Sequence, residues 1–402
     1  MKRVVSHIVL FLVIPCFVCD GGEAGWDESR IRAEAAGINA FAFDLYRRCG
    51  IGEGNRVLSP FNIASAFSMA YSGSRGDTAM ELKRVFRFSG IPDESMQAWE
   101  GLLSDLAKGG EGKGVELSVA HRLWINERFP VYRDFVKKIA RHYGEKPERF
   151  RVRDGGDDTV RAVNRWAEKR TRGRIRDLLP PGAVRKDTAS IITGAIYFSG
   201  RWRDTFDVDN TADAPFWVGR RESVTVPMMH RKVRAPYGET PAMQMLSLPY
   251  EGGRFSMVIL LPRTRAGLAA IERGLTMAAW VRWMKSLEYA EVSLWLPRFT
   301  VEGTVPLGEL LILMGARVSF TEEADFGAIA PELYLGAAYH RAFVSVHEKG
   351  SEAAAATAIS HLKANGDTVH EFRADRPFLF FIRDGRTGAL LFMGRLARPG
   401  EV

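Results

Sequence analysis

Four short stretches of this 402-residue chain carry residue types that serve in enzyme active sites. The serine stretch "SGSRG" at 72–76 does not match the G-x-S-x-G nucleophile elbow, and "GGEGKG" at 109–114 lacks the first glycine and the hydroxyl of a phosphate-binding loop. The stretches "HEKGS" at 347–351 and "HEFRA" at 370–374 each lack the second histidine of a zinc-binding helix. The eight histidines show no ligand spacing, so we expect no catalytic centre and no metal site.

The amino terminus has the pattern of a secretory signal peptide. A basic head "MKR" precedes the apolar run "VVSHIVLFLVIPCFVC", and small residues follow, so we predict a leader over 1–22 that ends between 19 and 24. A membrane anchor is the alternative, but the run is short for a bilayer span. The Cys16–Cys19 pair leaves with the leader, and Cys49 is then alone. We therefore expect a secreted, extracellular protein without an internal disulfide or a membrane span, and a bridge from Cys49 to another chain is the alternative to a free thiol.

The charge of the chain is positive and unevenly distributed. The net charge is +8, and the segment 146–176 holds eleven Lys/Arg against five Asp/Glu. A solvated helix face is the simpler interpretation. We expect no cofactor, and the alternative is a patch for anionic lipid or for a sulfated polysaccharide such as a glycosaminoglycan. No zinc spacing or aromatic-rich basic stripe indicates nucleic-acid binding.

Helical and strand patterns divide along the chain. The first half carries amphipathic segments such as "ESRIRAEAAGINAFAFDLYRR" and "VYRDFVKKIARHYG", the latter closed by Gly144. The second half carries strand-like runs such as "RFSMVILLP" and "AEVSLWLPRFTV", and "RPFLFFIRD" with "GALLFMGRL" predicts a β-hairpin. No linker or repeat interrupts them, so we predict one α+β domain over 23–402.

The stretch "VHEKGSEAAAATAISHLKANGDTVHEF" at 346–372 supports two interpretations. Taken alone it predicts a helix, because Ser351 is a good N-cap and an alanine run follows at 353–356. However, strand-like sequences flank it on both sides, "AFVSV" before and "FLFFI" after. A surface helix that joins two strands is the simpler alternative to a functional segment.

Nine ordered motifs together resemble one family, the serpins. They begin with "VLSPFNIASAFSMAYSGSRGDTAMEL", continue through "GAIYFSGRWRDTF", "LPYEGGRFSMVILLP" and "LPRFTVEG", and end with "HRAFVSVHEKGSEAAAATA" and "RADRPFLFFIRDGRTGALLFMGRL". The resemblance runs from about residue 31 to the C-terminus. It implies helices in the N-terminal half packed on three β-sheets, with an exposed reactive-centre loop at about 348–372.

The resemblance implies a suicide inhibitor of serine proteases rather than an enzyme. After cleavage, the first half of the loop would enter the middle of a β-sheet, which requires small side chains in the entering segment. The implied hinge meets this requirement. It comprises Glu348, Lys349, Gly350, Ser351, Glu352, Ala353, Ala354, Ala355, Ala356 and Thr357.

Two adjacent peptide bonds are candidates for the reactive bond. The usual hinge-to-bond spacing of the family places it at Ala364–Asn365, which suits an elastase-like protease with a small pocket. One residue earlier, Lys363–Ala364 would suit a trypsin-like protease.

Two control regions carry over from the resemblance. The first, which we call the breach, comprises Glu348, Arg298 and Trp202 at the top of the sheet. The second, the shutter, comprises Ser59, Asn62, Gly194 and His340 beneath it. The family usually has Asn at the position of Gly194 and Ser at that of Asn62, so we expect the amide of Asn62 to replace the missing one. Without that replacement the shutter would be looser.

The expected partner is a target serine protease, trypsin-like or elastase-like, and the protein itself is expected to be a monomer. A non-inhibitory serpin that acts as a carrier, chaperone or storage protein is the runner-up. Such members usually carry bulky, charged or proline residues in the hinge, and this hinge does not.

Overall fold

The computed structural model describes residues 27–50, 54–110, 114–351 and 369–400. The predicted leader, the hinge from Glu352 to Thr357 and both candidate bonds lie outside these residues. Within them, the chain forms nine α-helices and fifteen strands. The helices α1 to α9 are Glu28–Arg48, Pro60–Tyr71, Gly76–Phe86, Pro92–Gly110, Arg133–Tyr143, Asp157–Arg170, Leu268–Gly274, Met277–Lys285 and Leu307–Met314. The strands β1 to β15 are Arg56–Leu58, Val115–Asn126, Glu148–Phe150, Ser190–Arg201, Thr211–Phe216, Val224–Glu239, Met243–Pro249, Phe255–Pro262, Glu288–Pro297, Phe299–Pro306, Ala337–His347, Gly350–Ser351, His370–Arg373, Phe378–Asp384 and Leu390–Leu396.

The α+β prediction is confirmed, and the sheets divide as follows. Six strands form one sheet in the order β10-β11-β12-β4-β2-β3, and nine form another, β1-β15-β14-β8-β7-β6-β9-β13 with β5 on β6. Three sheets were expected. Hydrogen bonding joins the strands of the second set into one network, because the sixteen-residue β6 pairs with β5, β7 and β9. The predicted terminal hairpin is β14–β15.

Helix α2 lies at the centre of the core. All twelve of its residues are buried, and it packs on β2 and β4 of the six-stranded sheet and on β15 of the other. Ser59 caps it: its hydroxyl accepts a hydrogen bond from the backbone N–H of Asn62, and Pro60 occupies the first turn. The opposite face of the six-stranded sheet is covered by α6, whose Trp166 and Val163 pack with Trp124. The six-stranded sheet is therefore covered on both faces near Trp124, whereas β11 alternates buried and half-buried residues along its length.

Candidate functional site

The two residues of β12 lie between β4 and β11 in the six-stranded sheet. Gly350 pairs with Arg201 of β4 and with His347 of β11, and Ser351 pairs with their neighbours Gly200 and Val346, all antiparallel. Farther down, β4 and β11 pair directly with each other and run parallel, over 191–197 and 337–343. Two hinge residues thus occupy the top of a slot that is closed below them.

The contacts of these two residues explain their identity. Gly350 has a φ of 153°, and a Cβ at this position would lie 2.0 Å from the Gly200 carbonyl oxygen, so only glycine fits. The hydroxyl of Ser351 is 2.7 Å from that of Tyr250, and both side chains are buried. Ser351 therefore faces the core. Its backbone forms sheet pairings, and the helix that it was expected to cap lies outside the described residues.

At the breach, Glu348 is a buried carboxylate with two donors. Arg298 donates from Nε to Glu348 Oε1 at 2.6 Å and also contacts this oxygen through Nη2, and the Thr211 hydroxyl donates to it at 2.7 Å. Burial alone would raise the pKa of Glu348, but the hydrogen bonds from Arg298 and Thr211 outweigh burial and hold this pKa below its ordinary value. Glu348 is therefore ionised and fixed at the base of the loop.

Trp202 lies beside this ion pair. Its indole N–H donates to the His347 carbonyl at 3.0 Å, and its ring stacks on Tyr250 with centroids 4.6 Å apart. The Trp202 backbone N–H donates to the Lys349 carbonyl at 2.9 Å. The three breach residues named from the sequence are thus brought together around the start of β12.

We expect Arg298→Glu to loosen the top of the sheet. The substitution leaves buried Glu348 unpaired beside a second carboxylate, which should lower the free energy of unfolding by about 3 kcal/mol. The measurements are the midpoint of the first unfolding transition in guanidinium chloride and the rate of polymerisation at raised temperature. Arg317→Glu, at an exposed position outside the breach, is the matched control. The charge-swapped pair Arg298→Glu/Glu348→Arg should recover part of the loss, and unchanged unfolding and polymerisation of Arg298→Glu would contradict the role of the pair.

At the shutter, a chain of hydrogen bonds fixes the state of His340. The Ser59 backbone N–H donates to Nε2 at 2.9 Å, so Nδ1 carries the proton and donates to Asn62 Oδ1 at 3.2 Å. The Asn62 side-chain amide then donates to the Ala120 carbonyl at 3.0 Å. Burial lowers the pKa of His340 to about 3, against a weaker upward influence of the Gly194 carbonyl. His340 is neutral and joins α2, β2 and β11.

Gly194 adjoins this chain of hydrogen bonds directly. It pairs with His340 across β4 and β11, and a Cβ at Gly194 would lie 2.3 Å from Asn62 Oδ1. The amide of Asn62 therefore occupies the space that a side chain at 194 would enter. The Asn62–His340 contact that the expected replacement requires is present.

Comparison with known proteins identifies the family to which this chain belongs. The model of the family "Serpin (serine protease inhibitor)" matches residues 36–399. This chain is a serpin. The leukocyte elastase inhibitor of Sus scrofa is 34% identical over 91% of this chain and 99% of the relative, and a serpin-like protein of Thermococcus kodakarensis is 34% identical over 90% and 85%. The solved structure of uncleaved ovalbumin has a TM-score of 0.82 and 28% identity over 91% of this chain and all of that chain.

Three partners of the serpin's hinge, breach and shutter were not found by sequence reasoning. Thr211 binds Glu348, Tyr250 binds Ser351, and the Ala120 carbonyl binds Asn62. Only Tyr250 had a signal, because it lies within the motif "LPYEGGRFSMVILLP". Thr211 and Ala120 lie in segments whose local sequence gives no indication of these contacts.

The basic segment 146–176 of the serpin is partly neutralised by carboxylates within it and around it. At least five of its eleven cations contact carboxylates, which favours the interpretation as a solvated surface. Binding of a sulfated polysaccharide stays a prediction. The pairs are Arg151–Glu127, Arg161–Asp158, Arg170–Glu145, Arg172–Glu116 and Arg176–Glu168.

Over 27–50, 54–110, 114–351 and 369–400, no group of three His, Cys, Asp or Glu could hold a metal ion. No helix in these ranges is both long and apolar enough to cross a membrane. Cys49 is a free, half-buried thiol, and burial raises its pKa.

Proposed function

We propose that this serpin is a secreted inhibitor that acts on a serine protease as a suicide substrate. The protease serine attacks the carbonyl carbon of the scissile bond, an ester forms, and the amine of the next residue leaves with a proton from the protease histidine. Insertion of the loop then carries the tethered protease away and distorts its oxyanion hole, so that hydrolysis of the ester stalls. The leader pattern at 1–22 supports secretion, and the relatives named leukocyte elastase inhibitor support inhibition.

The observation that carries this proposal is the position of β12. Gly350 and Ser351 already pair with both neighbours, and below them β4 and β11 share one parallel ladder. If the chain continued along β12, that ladder would be replaced by two antiparallel ladders. An antiparallel pairing is slightly more stable per residue than a parallel one, and insertion would also add a full strand to the sheet. The sheet as it stands therefore stores free energy that insertion would release.

The register of β12 indicates which hinge side chains would enter the core. Side chains of a strand alternate between faces, so Ala353, Ala355 and Thr357 would share the buried face of Ser351. Extending the two pairings places Thr357 between Gly194 and His340. All three side chains are small, as a slot between packed strands requires. Insertion would thus reach the shutter at the third buried position.

For the reactive bond, we propose Ala364–Asn365, with Lys363–Ala364 as the alternative. The relatives named leukocyte elastase inhibitor favour the small residue. Incubation of the mature protein with elastase and with trypsin should give an SDS-resistant complex with at least one of them. Mass spectrometry of the released C-terminal fragment then identifies the bond: the fragment begins at Asn365 for the first choice and at Ala364 for the alternative.

The control for this experiment is each protease with its active-site serine blocked. A blocked enzyme should give no covalent complex, because the ester requires the serine oxygen. Cleavage of the loop by every protease tested, without a stable complex, would contradict inhibition and favour the carrier, chaperone or storage class.

A further inference from the structure

A large cavity lies on the side of the molecule formed by α5 and β3. Its volume is about 480 Å³, within the range of about 300–1,000 Å³ that small-molecule sites occupy. Its apolar lining comes from Ile125 of β2, Val136 of α5, and Val131 and Pro147 in the loops that flank α5. By contrast, the cavity beside Trp202 at the breach has a volume of only about 10 Å³. The α5 cavity is therefore large enough for a ligand rather than for water alone.

Cations surround the α5 cavity. Arg133 and Lys137, one turn apart on α5, and Arg149 of β3 line it together with one acid, Glu148. Glu148 contacts Arg122 outside the lining at 3.4 Å, so its charge is partly compensated there. Arg133 forms no ion pair with a described residue, and Lys137 is 3.7 Å from the highly exposed carboxylate of Asp134. The cavity thus combines an apolar interior with a net positive charge.

The other cation of the lining is positioned by the backbone. Arg149 donates from its guanidinium to the Glu127 carbonyl at 2.6 Å, which fixes this side chain at the edge of β3 while leaving its positive charge uncompensated by that contact. The long stems of Arg133 and Lys137 can cover apolar surface while their charged ends stay in water. A ligand with an apolar body would therefore contact apolar side chains inside the cavity, and the polar end of the ligand would lie near three positively charged donors.

We propose that the α5 cavity binds a small amphipathic anion, an apolar chain that ends in a carboxylate. The apolar body would fill the space between α5 and β2, and the carboxylate would accept hydrogen bonds from Arg133 and Lys137. This site goes beyond protease inhibition and shares no residue with the hinge, the breach or the shutter. Its test is direct binding, so its failure would leave the proposed inhibitory function untouched.

The experiment is isothermal titration calorimetry of the full mature protein with dodecanoate below its micelle concentration. We expect saturable binding of one dodecanoate per chain. Dodecanol and dodecyltrimethylammonium, which share the chain but lack the negative charge, should bind at least about tenfold more weakly, given two lost charge-assisted hydrogen bonds. Equal binding of all three probes, or no saturable binding of dodecanoate, would overturn the proposal.

Three variants locate the site. Lys137→Glu should weaken dodecanoate binding about fivefold or more, and Val136→Trp should abolish it by filling the cavity. Arg141→Glu is the matched control, since it makes the same charge change one turn farther along α5 at an exposed residue outside the lining. An equal loss for Arg141→Glu and Lys137→Glu would overturn the site, as would undiminished binding to a folded Val136→Trp variant. Circular dichroism establishes folding.

Discussion

The Ala355→Arg substitution is expected to convert this serpin from an inhibitor into a substrate of its target protease. Extending the register of β12 places Ala355 between Ile196 and Ala342, and both of these residues are fully buried. An arginine there would enter the core without a partner, which costs several kcal/mol. If the activation free energy of insertion rises by about 3 kcal/mol, insertion becomes roughly a hundredfold slower. Hydrolysis of the ester would then be faster than insertion.

The measurement is the fraction of serpin that forms an SDS-resistant complex and the number of serpin molecules consumed for each protease inhibited. For the parent protein this number should be near one, and for Ala355→Arg it should exceed about ten, following from the hundredfold slower insertion. The melting temperature gives a second readout. Cleavage of the parent loop should raise it markedly, because the sheet gains a paired strand, and cleavage of the variant should raise it less.

The matched control is Ala354→Arg, which adds the same side chain one residue earlier. Alternation places position 354 on the opposite face, between Tyr197 and the half-buried Phe343, where a long side chain can reach solvent. Ala354→Arg should retain most of the complex. Equal inhibition by the two variants would refute the register and the insertion mechanism together.

Amphipathic helices such as α1 and α5, and the α+β class, could be predicted from the sequence because their signals are local, whereas α4, α7, α8 and α9 were not predicted. Helix α5, for example, has a strongly amphipathic pattern and ends where Gly144 adopts a φ of 67°, as a glycine stop predicts. The number of sheets could not be predicted in this way. It depends on β6, whose sixteen residues pair with three different strands, and pairing partners are not encoded locally.

The two-residue strand β12 is a clearer example of a feature that local sequence does not predict. The local sequence around Ser351 favours a helix, yet the structure gives this residue sheet partners in Gly200 and Val346 and a hydroxyl partner in Tyr250. Gly200 and Tyr250 come from distant parts of the chain, so the local sequence gives no indication of these contacts. The resemblance to the family supplied the breach and shutter positions, but not the contacts that Thr211 and Ala120 contribute.

The second large effect is expected at the shutter, where Gly194→Asn should be strongly destabilising alone and tolerated together with Asn62→Ser. In the single variant, the new side chain begins 2.3 Å from Asn62 Oδ1, so buried atoms must move, at about 1–3 kcal/mol. Asn62→Ser alone removes the acceptor of the His340 Nδ1–H, and a buried unpaired donor costs about 1–3 kcal/mol. The pair restores the usual family arrangement, in which an amide at 194 can face His340.

A double-mutant cycle measures this coupling. We expect the free energy of unfolding of Gly194→Asn/Asn62→Ser, from the first guanidinium transition, to lie within about 1 kcal/mol of that of the parent, although each single variant is less stable. The reason is that the effects of substitutions at two residues in contact do not add. Gly194→Asn/Asn126→Ser is the control. Asn126 is also a buried asparagine of this sheet, but it binds the Thr188 carbonyl, so its effect should add to that of Gly194→Asn within about 0.5 kcal/mol. If the Asn62 pair were equally additive, the amide of Asn62 would not be the replacement for the one missing at 194. The departure from the family would then weaken the shutter instead of rearranging it.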